Sequence, residues 1–233
     1  MIAVVTWLWC EGFRDYCAAH VNVLARMIRR NLSLPHRFVC VADSGDGFDC
    51  GVTWFPTPPE AVRLGALRSP EGARFPNCYR RLWMWSDAAR ELGERLLLID
   101  IDLTAHRELA PLFDRAADFV GWRPRMQWGQ RERYGGGLYL LRPGTRAHVW
   151  DRFDGHKSIR AARAAGYRGS DQAWISYALG PTEDVWPRDS GLYSIRDIQN
   201  GKLPLPRDAR LVQFNGPQKP WNTHLAWARE AWR

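Results

Sequence analysis

The chain has 233 residues, 45% of them hydrophobic and 25% charged, with a formal net charge of +8. That length and balance suit one globular domain with a full core and exclude a disordered or low-complexity chain. The positive surplus is almost wholly arginine, since Lys157, Lys202 and Lys219 are the only lysines, and it favours anionic partners such as phosphates, nucleic acid or acidic lipid headgroups.

Ile2 to Trp9 reads as a buried opening strand rather than a signal segment, because no basic run or cleavage site accompanies it. Tyr16 to Leu32 follows with apolar residues at Val21, Leu24, Ala25 and Ile28, the spacing of a helix. Arg37 to Ala42 and Val52 to Phe55 read as further strands, the first closed by Asp43-Ser44-Gly45-Asp46-Gly47 and the second by Pro56 and Pro58. Residues 56 to 78 read as a loop. Tyr79 to Leu92 reads as a helix stopped at Gly93, feeding a strand that begins at Arg95. Beyond it, a short helix over Leu109 to Phe113 and a strand over Asp118 to Trp122 are expected. A polar, arginine-rich stretch from 123 to 134 then gives way to Gly135-Gly136-Gly137 and the apolar run Leu138 to Leu141. Ala147 to Phe153 and Gln172 to Leu179 read as helices separated by a basic segment with Arg160, Arg163 and Arg168. Alternating strands and helices predict a largely parallel sheet covered on both faces.

Five cysteines, Cys10, Cys17, Cys40, Cys50 and Cys78, are odd in number and form no C-x-x-C pair, which fits a reduced, cytoplasmic setting. No apolar run approaches the roughly 20 residues of a membrane span. Most of the thirteen tryptophans are expected in the core or in pocket walls.

The most informative stretch is Leu96-Leu97-Leu98-Ile99-Asp100-Ile101-Asp102, four buried apolar residues ending in two carboxylates one residue apart. Carboxylates at i and i+2 of a strand leave on the same side and can share one hard divalent cation. The plainer alternative is a turn former or a cap. Asp100-Ile101-Asp102-Leu103-Thr104 also satisfies the D-x-D-x-T pattern of haloacid-dehalogenase-like phosphatases, where the first aspartate is the nucleophile. Those enzymes carry it on their first core strand, whereas about three strands precede it here, and Glu183-Asp184 sits in a proline-bounded loop.

Four separated segments together resemble the GT-A glycosyltransferases, most closely the family 8 enzymes that include glycogenin and bacterial galactosyltransferases. Arg81-Leu82-Trp83-Met84-Trp85-Ser86 is similar to the family's K-L-x-x-W-S helix, and Asp100-Ile101-Asp102 stands at its DxD. Tyr134-Gly135-Gly136-Gly137-Leu138 resembles F-N-S-G-V, and Gly169-Ser170-Asp171-Gln172 resembles the G-x-D-Q sugar turn. Gln213-Phe214-Asn215-Gly216-Pro217-Gln218-Lys219-Pro220-Trp221 resembles H-F-x-G-x-x-K-P-W. The resemblance runs in order through residues 1 to 222.

It implies a single α/β domain of the GT-A (Rossmann-like) kind over 1–222, with a mostly parallel central sheet flanked by helices and a packed C-terminal helical tail over 223–233. It further implies transfer of a sugar from a UDP-hexose, with retention, assisted by Mn²⁺ or Mg²⁺ on Asp100, Asp102 and Gln213. Thr6, Tyr16, Arg81, Asp100, Gly136, Gly137, Gly216 and Lys219 would bind the donor, while Asp171 and Gln172 would hold the sugar, Gln172 near its anomeric carbon. Two departures stand out. Gln213 replaces the family's metal-binding histidine, a weaker ligand for the ion, and Gly135 replaces an asparagine facing the sugar, which leaves the hexose open.

Arg125, Arg131, Arg133 and Arg168 are candidates to face an anionic acceptor. Two acceptors fit: hydroxymethylated, phage-type DNA with a flipped base, or a phosphorylated saccharide or lipid. For the lipid, Trp221 to Arg233 could lie at a membrane surface, although a helix packed on the core is the simpler reading. A catalytically silent binding module is a further alternative, against which stand both aspartates and Lys219.

Overall fold

The computed structural model describes residues 1–9, 16–69, 78–124 and 134–233. In chain order, β1 (Ile2–Leu8), α1 (Ala18–Asn31), β2 (His36–Ala42), β3 (Thr53–Pro56) and α2 (Pro59–Leu64) come first. Two 3-10 segments, Tyr79–Trp85 and Asp87–Leu92, lead into β4 (Arg95–Ile99). β5 (Leu103–Ala105), β6 (Phe119–Gly121), β7 (Leu138–Leu141), α3 (His148–Asp151), α4 (Gly155–Ala164) and α5 (Asp171–Leu179) follow. The described elements end with β8 (Asp184–Val185), β9 (Leu192–Ser194), β10 (Leu211–Gln213) and α6 (Ala226–Ala231).

Among the described residues, seven strands form the central sheet in the order β3-β2-β1-β4-β7-β6-β8. All the pairings are parallel except those of β7, which runs against both β4 and β6. The expected α/β architecture with a mostly parallel sheet is therefore present. β4 lies at its centre because its apolar run is buried on both faces, as a parallel core strand requires. Leu96 and Leu98 join Trp85, Tyr139 and Trp174 on one side; Leu97 and Ile99 join Val21, Leu24, Met27 and Ile28 of α1 on the other. Each fully buried leucine there contributes about 1.5–3 kcal/mol of transfer free energy. Trp7, Trp83, Trp85, Trp122, Trp174 and Trp186 are all buried, whereas Trp54 is exposed.

A second, three-stranded sheet, β5-β10-β9, continues from the end of β4. It pairs Leu103 with Gln213 in antiparallel register, which brings a residue 110 positions further on beside the paired aspartates.

Three local expectations differ from what is observed. The loop at 56–78 contains α2, opened by Pro59 in its first turn, where a missing N–H costs nothing. The helix expected over Tyr79–Leu92 is two 3-10 segments interrupted at Ser86, which is extended (ψ 160°). All seven residues of the first segment are buried, so it has no solvent face and lacks the amphipathic repeat of a surface α-helix. The basic segment before α5 is largely helical: α4 buries Ser158, Ile159 and Ala162 while Arg160 and Arg163 face outward.

The terminal segment folds back on the domain. Arg30, in the last turn of α1, donates to the carbonyls of Ala231 (2.9 Å) and Arg233 (3.0 Å), Trp232 packs on Trp221, and Trp227 packs on Phe214. Among the described residues no helix is long and apolar enough to cross a membrane.

Candidate functional site

The chain leaves the central sheet at Ile99, turns through Asp100-Ile101-Asp102, and re-enters a different sheet at Leu103. The aspartates thus sit on a bend between two sheets and not, as the spacing predicts, on one face of a continuing strand. Their surroundings differ accordingly. Asp100, whose backbone N–H donates to Gly137 O (3.0 Å), accepts from Arg81 through Oδ1 and from the Gln213 amide through Oδ2 (2.6 Å). Asp102 accepts from the Lys219 ammonium and from the Tyr16 hydroxyl (3.0 Å), both at Oδ2.

Arg81, within the first 3-10 segment, makes a bidentate pair with Asp171 at the start of α5: Nε to Oδ2 at 2.9 Å and Nη2 to Oδ1 at 3.2 Å. The planar guanidinium fork matches a carboxylate in this geometry. One arginine thereby ties Asp100 to the Gly169–Gln172 turn, whose Asp171 lies 90 residues beyond Arg81 in sequence. Arg81 is 6% exposed and Asp171 only 1%, so the pair is removed from water. Burial works to strip the proton from Arg81, but Asp171, Cys78 and Asp100 outweigh it and hold the guanidinium well above its ordinary pKa. Burial also pushes the Asp100 carboxyl up, Asp102 and Asp171 add to the rise, and Arg81 and Lys219 oppose it. The Cys78 thiol, behind this network, is pushed up to about 12 by burial, which makes it inert.

The glycines shape the space over these groups. A Cβ on Gly137 would stand 1.8 Å from Gln213 Nε2 and 2.5 Å from Asp100 Oδ2, so its absence makes room for the Gln213 amide to reach Asp100. Gly136 N–H donates to Gln172 Oε1 at 3.1 Å and orients that amide. Gly135 backs onto Trp122 and Pro124, which a Cβ would meet at 3.0–3.1 Å, so the family's asparagine would require these neighbours to give by a few tenths of an ångström. Gly216 takes φ +148°, a conformation open to glycine without strain. Three residues on, the Lys219 backbone N–H is fixed by Asn222 Oδ1 at 2.7 Å.

The structure gathers Tyr16, Arg81, Asp100, Asp102, Gly136, Gly137, Asp171, Gln172, Gln213 and Lys219 around the carboxyl end of β4. Thr6 lies fully enclosed in β1, its hydroxyl without a partner among the described residues. Arg168 is exposed just before the Gly169–Gln172 turn, while Arg125, Arg131 and Arg133 lie outside the described residues. Sequence reading missed two supports of the site: Asn222, whose signal is an Asx-type side chain three residues after the lysine, and His20, whose ring stacks on Trp221 (4.0 Å between centroids) with no local signal. The acidic pair that a phosphatase would bring to Asp100 is turned elsewhere: Glu183 pairs with Arg146 (2.6 Å) and Asp184 with Arg115 (3.3 Å).

Among the described residues no group of three His, Cys, Asp or Glu side chains is placed to hold a metal. The donor set is two carboxylates and one amide. That set still fits a hard cation by its chemistry, because every member carries an oxygen, the Gln213 amide offering its own once it turns from donating its nitrogen to Asp100.

No protein-family model and no curated protein sequence matches this chain. Solved structures do match in fold. An active-site mutant of LgtC superposes with a TM-score of 0.65 at 16% identity, covering 98% of this chain and 93% of LgtC. The galactosyltransferase LgtC in complex with donor and acceptor sugar analogs gives 0.64 at 16%, over 99% and 93%. The apo form of the glycosyltransferase GlyE from Streptococcus pneumoniae TIGR4 gives 0.63 at 14%, covering 99% of this chain but 58% of GlyE. The fold is that of the GT-A glycosyltransferases and resembles family 8 among them.

Proposed function

We propose that this protein is a glycosyltransferase that moves a hexose from a UDP-sugar to a hydroxyl of an anionic saccharide, with a divalent cation at the paired aspartates. The observation that carries this reading is the convergence of Asp100, Asp102, Gln213 and Lys219 at the end of β4, opposite Arg81, Asp171 and Gln172, within a GT-A fold.

Asp100, Asp102 and Gln213 would hold Mn²⁺ or Mg²⁺, which supplies Lewis-acid neutralisation of the diphosphate leaving group. Lys219 adds a point charge to the same phosphates, and the flexible backbone at Gly216 lets that loop approach them. Asp171 has both oxygens on Arg81, so its part is to position the turn and not to attack the sugar. Gln172, half-buried and with its amide oxygen held by the Gly136 N–H, is the side chain we assign to the sugar. With no free nucleophile assigned, the bond from the anomeric carbon to the phosphate oxygen breaks as the acceptor oxygen bonds on the same face, and the acceptor proton passes to the departing phosphate. Tyr16 is assigned to the nucleoside end, whereas Thr6, fully enclosed in β1, is not. A saccharide is favoured over DNA as acceptor because LgtC was solved with an acceptor sugar analog, and Arg168 at the rim suits a phosphate or carboxylate on it.

Incubation with UDP-hexoses and Mn²⁺, with and without phosphorylated saccharides, is expected to release UDP, faster with the right acceptor and not at all after chelation. Absence of both binding and release of UDP across the panel would sink the reading. Gly137→Ala offers a charge-neutral check. The added methyl collides with the Gln213 amide and the Asp100 carboxylate and turns them aside, and Mn²⁺ affinity by calorimetry should fall about 10- to 100-fold, the scale seen when a site's supporting shell is disturbed, with little change in circular dichroism.

A further inference from the structure

We propose that Lys219 is an internal counter-ion which occupies Asp102 until a nucleoside diphosphate draws it away, so that the divalent cation and the diphosphate bind interdependently. This rests on the nucleotide-sugar reading of the site and assigns Lys219 a role before the donor arrives.

The ammonium of Lys219 pairs with Asp102 Oδ2 and donates to Phe214 O at 2.9 Å, lying 5.8 Å from the centre of the Tyr16 ring. Lys219 is 5% exposed and Asp102 3%, so the pair is a desolvated one. Tyr16 donates to the same carboxylate oxygen at 3.0 Å. A cation arriving at Asp102 therefore meets an oxygen already engaged by a positive charge. The other cation of the cluster cannot relieve it, because the Arg81 fork is committed to Asp171 and Asp100.

The backbone of Lys219 is anchored by Asn222, so a change of partner falls to its four-carbon stem. A diphosphate beside Asp102 offers the ammonium a new partner of higher charge density. Moving Lys219 there strips Asp102 of its internal cation and leaves the carboxylate open to the divalent ion. Each ligand thus removes the obstacle to the other. By thermodynamic linkage, the factor by which UDP tightens Mn²⁺ must equal the factor by which Mn²⁺ tightens UDP.

Calorimetric titration of Mn²⁺ into the wild type and Lys219→Met, each alone and with saturating UDP or UMP, tests this. Without nucleotide the variant should bind Mn²⁺ about tenfold more tightly than the wild type, within the ordinary range of coupling between sites. Direct contact between ion and phosphate leaves some UDP effect in both proteins, so the nucleotide-free affinity is the deciding reading. An unchanged or weaker nucleotide-free affinity in Lys219→Met overturns the proposal. If that variant does not fold, Lys219→Gln, which also lacks the charge but keeps a polar chain, is read in the same way. UDP should tighten Mn²⁺ far more than UMP, which lacks the second phosphate, and equal effects overturn the exchange. Absence of UDP binding by every form overturns instead the functional reading beneath it.

Discussion

Arg81→Met is expected to lower the melting temperature by roughly 6–20 °C, the shift that corresponds to about 3–5 kcal/mol in a domain of this size. The substitution keeps much of the side-chain volume but removes three hydrogen bonds to two carboxylates. Asp171, 1% exposed, is left as a buried charge whose remaining contact from its own turn is the Ser170 hydroxyl at 3.1 Å. Such a charge costs several kcal/mol unless it takes up a proton. The deficit should therefore depend on pH. Asp100 is already raised above its ordinary value of 3.8, so its contribution to stability is complete below that pH and is lost as pH rises through the folded value. Removing Arg81, which opposes the rise, widens that window. The gap between variant and wild type should be widest at neutral pH and narrow on acidification, as followed by thermal unfolding at a series of pH values. A gap independent of pH would mean that lost packing, and not uncompensated charge, accounts for the effect.

The central sheet was legible from residue order because its signal is local. Leu96 to Ile99 is apolar throughout, as a strand covered on both faces must be, and the α1 stripe at Val21, Leu24, Ala25 and Ile28 has helical period. α2 and α4 were illegible for opposite reasons: prolines that open a helix read equally well as a loop, and α4 buries only Ser158, Ile159 and Ala162, too thin a stripe to stand out among arginines. At the site, residue types and order pointed to Asp100, Asp102, Gln213 and Lys219, which the fold brings within hydrogen-bond reach. Their partnerships were not legible. That Arg81 grips Asp171, or that Lys219 takes Asp102 while Gln213 takes Asp100, depends on how separated segments cross, and no local spacing records that. The bend at Asp100 was hidden too, since alternation continues on paper where the chain changes sheets.

Asp102→Asn separates charge from shape at the centre of the site and is expected to reduce transfer at least 10²- to 10³-fold, the loss typical when one preorganised stabiliser of developing charge is removed. Asparagine still accepts from Tyr16 and fits the volume, but it offers the cation a neutral oxygen and leaves Lys219 buried without its counter-charge. Some stability must go with the activity, at most the 3–5 kcal/mol of a broken buried pair. A cycle with Lys219→Met resolves the two. Removing both charges takes away the uncompensated ammonium, so the double variant should recover much of the stability lost in Asp102→Asn, with a coupling of about 0.5–3 kcal/mol as for contacting residues. Transfer should stay absent, because neither the cation nor the diphosphate regains its charged partner. Thermal unfolding and UDP release measured on the four proteins give both answers. Recovery of transfer alongside stability would assign Asp102 and Lys219 to the scaffold alone. Recovery of stability without transfer would place them at the reacting diphosphate, where an ion pair that can be dispensed with for folding is retained for chemistry.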